Sequence, residues 1–521
     1  MPLYSFDSSR PRQTGGAHAR THELEGSDTV RPSVQNSGTQ LNRQRTTNFG
    51  AGLEATEDSA NKRITVTAMG AAAQPTILVV ASNAKNVANY VTTAGKVYVC
   101  DGTADDVEFA LAVAALPAAG GCIRLTEGTF TLAARVLFSS NTRLSGAGMG
   151  ITTIKRLIGS STAMLEVSSS TSFTTFEDFT VDGNSANNSS QETGEITLNG
   201  TDHTVQRVHI KDGRSLGVVV TGNRDRILNC VFVGTGASTG ASNVGGVFYD
   251  STNNIQGLLV DGCYVRNMWQ GAIFGSGTGI VLTNNILLNN HLQSSPTGGG
   301  MIAFGSNANR TEVIASGNYF KEGGTGTGGF ELENVDDGII TDNFINVAGD
   351  NGINVATPAS VGRLLIANNI IKCHGTDGIR INADVSNFAI IGNVLYDDQG
   401  SPTQDYGIHV YAGTSNNYII TGNYVVGNVT AGILDLGTGT TKIVSGNVGY
   451  KTEAYGATSV ADGGTISHGL AATPTRVTVT PTTAGEMASV TALAATTFTV
   501  ALKTHAGAAG TTQTVYWDAR I

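Results

Sequence analysis

The chain has 521 residues, a formal net charge of −10, 40% hydrophobic residues and only 14% charged ones. That apolar content excludes a disordered polyelectrolyte, and an acidic balance without a concentrated Lys/Arg stretch argues against nucleic acid as a partner. Glycine, at 67 residues, is about twice its ordinary share and points to an all-β protein with many tight turns.

The opening stretch MPLYSFDSSRPR lacks the apolar core of a secretory signal, and no apolar run approaches membrane-spanning length. Synthesis in a cytoplasm and no membrane insertion are therefore expected. Residues 1–48 read as an extended arm. The first 50 residues hold six arginines (Arg10, Arg12, Arg20, Arg31, Arg43, Arg45) against four acids, too little net charge for a nucleic-acid arm. Residues 49–95 read as a small β region or neck. The five cysteines are widely spaced without a CxxC pair, which suits neither a disulfide framework nor a zinc site. No cofactor and no metal are expected.

The stretch DGTADDVEFALAVAALPAAGG, 101 to 121, reads as a short helix that caps an open sheet end. Thr103 and Asp106 form an S/T-x-x-D start, Val107, Leu111, Ala114 and Ala115 make the expected buried stripe, and Pro117 and Gly120 end it. GCIRLTEGTFTL then supplies the first strands.

From there the chain repeats. Gly217, Gly246, Gly271, Gly300, Gly329, Gly352, Gly378, Gly407 and Gly432 each open a short apolar strand, at steps of 23 to 29 residues. A second series runs through Asp178, Arg207, Asn229, Gly262, Asn285, Asn318, Asn343, Asn369, Asn393, Asn423 and Asn447. The residue after each is apolar, from Phe179, Val208, Cys230 and Cys263 to Ile286, Tyr319, Phe344, Ile370, Val394, Tyr424 and Val448, and this column is expected to be a core stack. Strands of four to six residues at this period are too short for helices. Asn and Gly at the corners suit left-handed bends. Together these features predict a right-handed, single-stranded parallel β-helix over 96–451, with coils about 4.8 Å apart. Cys230 and Cys263 fall on neighbouring coils and are expected to be stacked buried thiols rather than a disulfide. In 452–521 the alternation of TRVTVTP and TFTVALK indicates a small β-domain.

The stretch from Asp101 to Leu132, followed by SSNTRLSGAGMGITTI, resembles the opening of the pectate-lyase-like superfamily found in phage tailspikes. In that pattern an Asp-Gly-x-x-Asp-Asp run leads a capping helix, then a GG-strand-PxGxY segment and an L-x-G-x-G turn. Thr126 stands where the family usually has Pro, and Phe130 where Tyr is common. GGAHARTHELEGSD, 15 to 28, is similar to segments of phage tail fibre and collar proteins, and the C-terminal stretch resembles β-domains that close phage tail proteins. The resemblance implies a homotrimeric virion spike. Its arm would meet other tail or baseplate proteins, its shaft would meet a host surface polysaccharide, and its last domain would serve for trimerisation or as a tip. It would be made in the host cytoplasm and act at the host cell surface. His18 and His22 would lie in the arm.

Candidate chemistry sits on the outward positions. Two residues after each glycine the chain reads Val219, Phe248, Ile273, Ile302, Glu331, Asn354, Arg380, His409 and Leu434. Strand alternation sends these side chains to the outside. Four consecutive coils are thus expected to carry polar groups where the preceding four carry apolar ones, and two positions further on lie Glu333, Asn382 and Tyr411. Asp350, Asp377 and Asp405, each one or two residues before a glycine, are expected along one edge, with adjacent carboxylates about 5 Å apart and alternate ones about 9.6 Å apart. Glycoside hydrolysis uses such carboxylate pairs, whereas a lyase would use His409 or Tyr411 as base with Arg380 neutralising a uronate. Catalytic candidates are therefore Glu331, Asp350, Asp377, Asp405 and His409. Substrate-binding candidates are Glu333, Asn354, Arg380, Asn382, Tyr406, Tyr411 and Trp269. Corner Asp residues also commonly bond their own turns, so a structural or receptor-binding virion protein without catalysis stays open beside a depolymerase. The cluster FELENVDD, 330 to 337, lacks the ligand-spaced loop that Ca²⁺ binding needs.

Overall fold

The computed structural model describes residues 53–58, 63–68 and most of 75–521, excluding 159–162, 189–193, 235–244, 250–254, 291–298, 305–310, 357–362 and a few shorter breaks. The arm, with His18 and His22, and Cys373 lie outside the described residues. Residues 1–74 and 75–521 are two compact units. In the first, strands Leu53–Asp58 and Arg63–Ala68 pair antiparallel.

The second unit is a parallel β-solenoid. Strand Thr76–Val80 pairs in parallel with Val97–Val99 and Gly121–Leu125, so the stacking begins within the region expected to be a neck. One sheet of twelve strands runs without interruption from Val136–Phe138 to Ala431–Gly437 and is called the first sheet below. The two other faces of each coil meet at a bend. Strands such as Val335–Thr341, Leu364–Ala367 and Phe388–Ile391 lie before it, and Phe344–Asn346, Ile370–Lys372 and Val394–Tyr396 lie after it.

The bend is made by one residue in left-handed conformation. In successive coils this is Asp178, Arg207, Asn229, Gly262, Asn284, Gly317, Asp342, Asn368, Gly392, Gly422 and Gly446. The next residue points inward. In the early coils it is Phe179, Val208, Cys230 or Cys263, all essentially buried. From Asn285 onward it is asparagine, and here the structure corrects the expected core column. Ile286, Tyr319, Ile370, Tyr424 and Val448 are 37–58% exposed, and Phe344 and Val394 half-buried. They do superimpose coil on coil, but on the outer surface.

Asparagine can take the inward place because its amide is fully bonded. Asn343 Nδ2 donates to Ala315 O and to Asn369 Oδ1, each at 3.0 Å, while its Oδ1 accepts from Asn318 N and Nδ2 at 3.0 and 2.9 Å. The same pattern runs from Asn285 to Asn447. A buried amide with partners on both neighbouring coils escapes the cost of an unsatisfied polar group. Cys230 and Cys263 are free, buried thiols.

The glycines that open the first-sheet strands have a different cause. A Cβ on Gly378 would lie 2.6 Å from Gly407 O, and one on Gly407 2.7 Å from Gly432 O. Only glycine lets the coils approach there.

The helix spans Asp106–Ala114, but its buried residues are Phe109 and Ala112, while Val107 and Leu111 are about half exposed. Phe109 packs edge-on against Phe130 of the first coil at 5.4 Å, and that contact sets the rotation. Thr103 does not cap the helix. Its N–H and hydroxyl donate to Asp101, while the buried Asp105 accepts from Gly102 N and Thr131 N, tying the helix start to the coil beneath. Thr126 fills its site by accepting Ala81 N at 3.0 Å.

After the last coil, two antiparallel three-stranded sheets form the C-terminal part. Glu453–Val460, Gln513–Arg520 and Arg476–Pro481 make one, and Gly464–Ser467, Thr497–Thr504 and Glu486–Leu493 the other. Val460, Ile466, Phe498, Val500, Leu502 and Val515 fill the space between them.

Candidate functional site

On the first sheet Glu331, Asn354, Arg380, His409 and Leu434 stand in strict register. Their flanking residues, such as Ile353, Val355, Ile379 and Ile381, are fully buried, so alternation sends the column outward. Upstream the register departs from the glycine count. Ile273 and Ile302 point inward and are buried, and the outward positions are Phe274 and Ala303, which pair with Phe248 and Glu331. Ala272 and Met301 are the extra residues that shift these two strands by one place.

The polar column is a connected ladder. Asn354 Nδ2 donates to both oxygens of Glu331, at 2.8 and 3.0 Å. Asn382 Nδ2 reaches Asn354 Oδ1 at 3.2 Å, and Arg380 Nε donates to Asn382 Oδ1 at 3.2 Å. The Arg380 guanidinium lies 4.3 Å from the centre of the Tyr411 ring, a cation–π contact. Tyr411 stacks on His409 at 4.0 Å, and Tyr406 flanks the same imidazole at 4.7 Å. His409 Nδ1 lies 3.1 Å from the Asp377 carboxylate. Among the described residues no carboxylate pairs with Arg380 within ion-pair distance.

The electrostatics divide this ladder. Burial pushes the Glu331 carboxyl up to about 7, against the opposing effect of the Asn354 hydrogen bonds; the nearby charges of Glu333 and Asp350 add to the rise and Arg380 opposes it. Burial also raises Glu333. Asp377 is buried and its carboxyl is raised by desolvation, with the His409 imidazole drawing it back. Glu331 is thus a carboxylic acid poised near neutrality, and His409 an imidazole oriented by a carboxylate.

The three aspartates do not form one edge. Asp377 is in register with Tyr406, donates its N–H to Asn351 Oδ1, and is buried with its carboxylate against His409. Asp350 and Asp405 flank Thr376 instead: Thr376 Oγ1 donates to Asp350 Oδ1 at 3.1 Å, and Asp405 N donates to Thr376 O at 2.6 Å. The cause is the offset from the glycine, one residue for Asp377 and two for the others. Trp269 is half-buried in the coil of Ile273, two coils before Glu331 and outside the ladder. Thr376, which tethers Asp350, was not singled out from sequence; its signal is its place two residues before Gly378, matching Asp350 and Asp405. The acids of FELENVDD separate: Glu331 lies in a first-sheet strand and Glu333 just past its end, while Asp337 pairs with Arg363 on another sheet.

Residues 286–448 match the family model described as a right handed beta helix region. The fold of the solenoid is thus a right-handed parallel β-helix. Solved structures similar to it include a mutant tailspike protein of E. coli bacteriophage HK620 in complex with a pentasaccharide, at 10% identity, covering 90% of this chain and 98% of that one with a TM-score of 0.52. The catalytic unit of an α-1,3-glucanase from Streptomyces thermodiastaticus strain HF3-3 matches at 13% identity over 74% and 71% of the chains, TM-score 0.51. The Dettilon tailspike protein matches at 13% identity over 85% and 93%, TM-score 0.45. At these identities the likeness is one of fold. No curated protein matches the sequence.

Proposed function

We propose that this protein binds a surface polysaccharide along the Glu331–His409 column and cleaves it hydrolytically, as a phage tailspike. The observation that carries the reading is Glu331, an acid held near neutrality at the head of a four-coil outward ladder of amide, guanidinium and aromatic groups. Stacked rings and amides are what sugar faces and hydroxyls recognise. In the proposed step the Glu331 carboxyl protonates the leaving glycosidic oxygen as the C–O bond breaks. Asp350 takes a proton from the water that attacks the anomeric carbon. Glu331 and His409 are three coil steps apart, about 14 Å at 4.8 Å per step. That exceeds the ~6.5–9.5 Å of an inverting pair, so the two do not serve one bond. Asn354, Asn382, Tyr406 and Tyr411 bind the chain in this reading, and Asp405 lies on the rim.

The pairing of His409 with Asp377 beside Arg380 supports a second reading, β-elimination from a uronate, with His409 Nε2 as base and Arg380 holding the carboxylate. Incubation with capsular or lipopolysaccharide preparations separates the readings. New reducing ends without ultraviolet-absorbing unsaturated ends support hydrolysis; unsaturated ends that vanish in His409→Ala support elimination. Saturable binding with neither product would leave a receptor-binding spike. The full-length likeness to a phage tailspike, with a pentasaccharide bound there, supports the virion role. In that role the chain is a homotrimer attached through residues 1–48 to other tail proteins, with 452–521 as trimerisation or tip domain.

A further inference from the structure

The strands after the bend carry a charge pattern that the polar ladder does not use. One outward column reads, coil by coil and in register, Lys155, Asp182, Lys211, Val233, Arg266, Leu288, Lys321, Asn346 and Lys372. Every second coil holds a cation, and the coils between them hold a single acid, Asp182. The residue before each cation, Ile154, Ile210, Val265, Phe320 or Ile371, is fully buried, so alternation turns the column to solvent. At about 4.8 Å per coil the cations are about 9.6 Å apart, and the row is about 38 Å long.

We propose that this row is a second binding surface, for an acidic polysaccharide with one charge per disaccharide, lying parallel to the solenoid axis. The spacing selects the occupant. A nucleic-acid strand carries a phosphate every ~3.4 Å and needs densely set cations. An extended polysaccharide with one acid group per disaccharide carries its charges at close to the two-coil repeat. The backbone ladder between coils fixes that repeat, so the row is ordered before the chain arrives. Two of its members are anchored in line: Lys211 by Asp182 and Asp212, at 2.8 and 3.0 Å, and Lys372 by Asp398 at 3.1 Å. Among the described residues neither Lys155 nor Arg266 has an acid within ion-pair distance, so these two offer their full charge. Aromatic rings accompany the cations. The Arg266 guanidinium lies 6.0 Å from the centre of the Tyr264 ring, and Lys372 Nζ lies 6.0 Å from that of Tyr396. A ligand that alternates apolar ring faces with acid groups matches both features.

The proposal does not rest on cleavage at Glu331, since the row and the ladder lie on different sheets. Calorimetric titration of the full chain with hyaluronan, which has one carboxylate per disaccharide, tests it beside neutral dextran and a single-stranded oligonucleotide. Wild type should bind hyaluronan above dextran and the oligonucleotide, and lose affinity as salt rises from ~50 to ~200 mM. Arg380→Ala, which breaks the ladder site, should leave this binding in place. Lys155→Gln/Arg266→Gln should weaken it about three- to tenfold, with unchanged circular dichroism. The sharper variant is Arg266→Gln/Leu288→Lys, which keeps the net charge and shifts one cation by a single coil; it should weaken binding about threefold. Four results would each overturn the proposal: no binding above dextran, tighter binding of the oligonucleotide, loss of hyaluronan binding in Arg380→Ala, or wild-type affinity in the shifted variant. A Glu331→Gln variant that cleaves normally would overturn the hydrolytic reading alone.

Discussion

The same coils, from about residue 330 to 410, present two very different outward columns. On the first sheet, successive positions read Glu331, Asn354, Arg380 and His409, each of different chemistry and each linked to the next, directly or through Asn382 and Tyr411. Beyond the bend, successive positions read Phe344, Ile370 and Val394, alike and uncharged. A solenoid gives every residue a like-placed neighbour one coil away, so sameness down a column reports one environment repeated coil after coil. Variety reports a site that treats each coil differently. The inward column between them, Asn343 to Asn393, shows a third case, in which one polar residue repeats because each copy satisfies the next.

The comparison can be broken at its strongest point first. Asn343→Ala removes two donors and an acceptor from the buried ladder and strands Asn318 and Asn369, at a cost on the order of 2–4 kcal/mol in denaturant unfolding. Phe344→Ala, one residue on but facing outward, should cost less than about 1 kcal/mol. Equal losses would mean that the inside and outside have been assigned wrongly. Next in size, Arg380→Ala and Tyr411→Ala should each weaken glycan binding by about tenfold, on the order of 1–2 kcal/mol, with unfolding midpoints unchanged. A binding curve insensitive to both would move the site off this column.

Glu331 yields an effect on stability that depends on pH. Its folded-state pKa, about 7, is raised above the ordinary 4.5, mainly by burial. The stabilisation this gives is therefore fully present below pH 4.5 and is lost as pH rises through 7. Glu331→Gln, which carries no charge to bury, should match wild type near pH 4 and exceed it by about 1–3 kcal/mol at pH 8. A pH-independent difference would show that the carboxyl is not held in its acid form by the fold.

The period, the left-handed corners and the glycine-opened strands were legible in the sequence because each reflects a backbone requirement of one coil. The inward asparagines were not. A lone Asn belongs outside by its own solvation, and its burial becomes favourable only when the coils above and below supply partners, so the apolar Ile286, Tyr319 and Phe344 seemed the better core. For the same reason one extra residue at Ala272 and Met301 hid the true outward positions, Phe274 and Ala303. Spacing within one coil placed Glu331, Asn354, Arg380 and His409 together. It could not show Asp377 paired with His409, because a one-residue difference in offset takes Asp377 out of line with Asp350 and Asp405. The helix was visible in DVEFALAVA, but which face it buries depended on Phe130 across the gap.

The central claim, that Glu331 supplies a proton to a glycan bound along this column, is tested most directly by the pH–rate profile of polysaccharide cleavage for wild type and Glu331→Gln. The account predicts a wild-type rate that falls as pH rises through about 7 and a variant slower by roughly 10²–10⁴-fold, with binding retained. A variant that cleaves at the wild-type rate, with the same pH dependence, would contradict it.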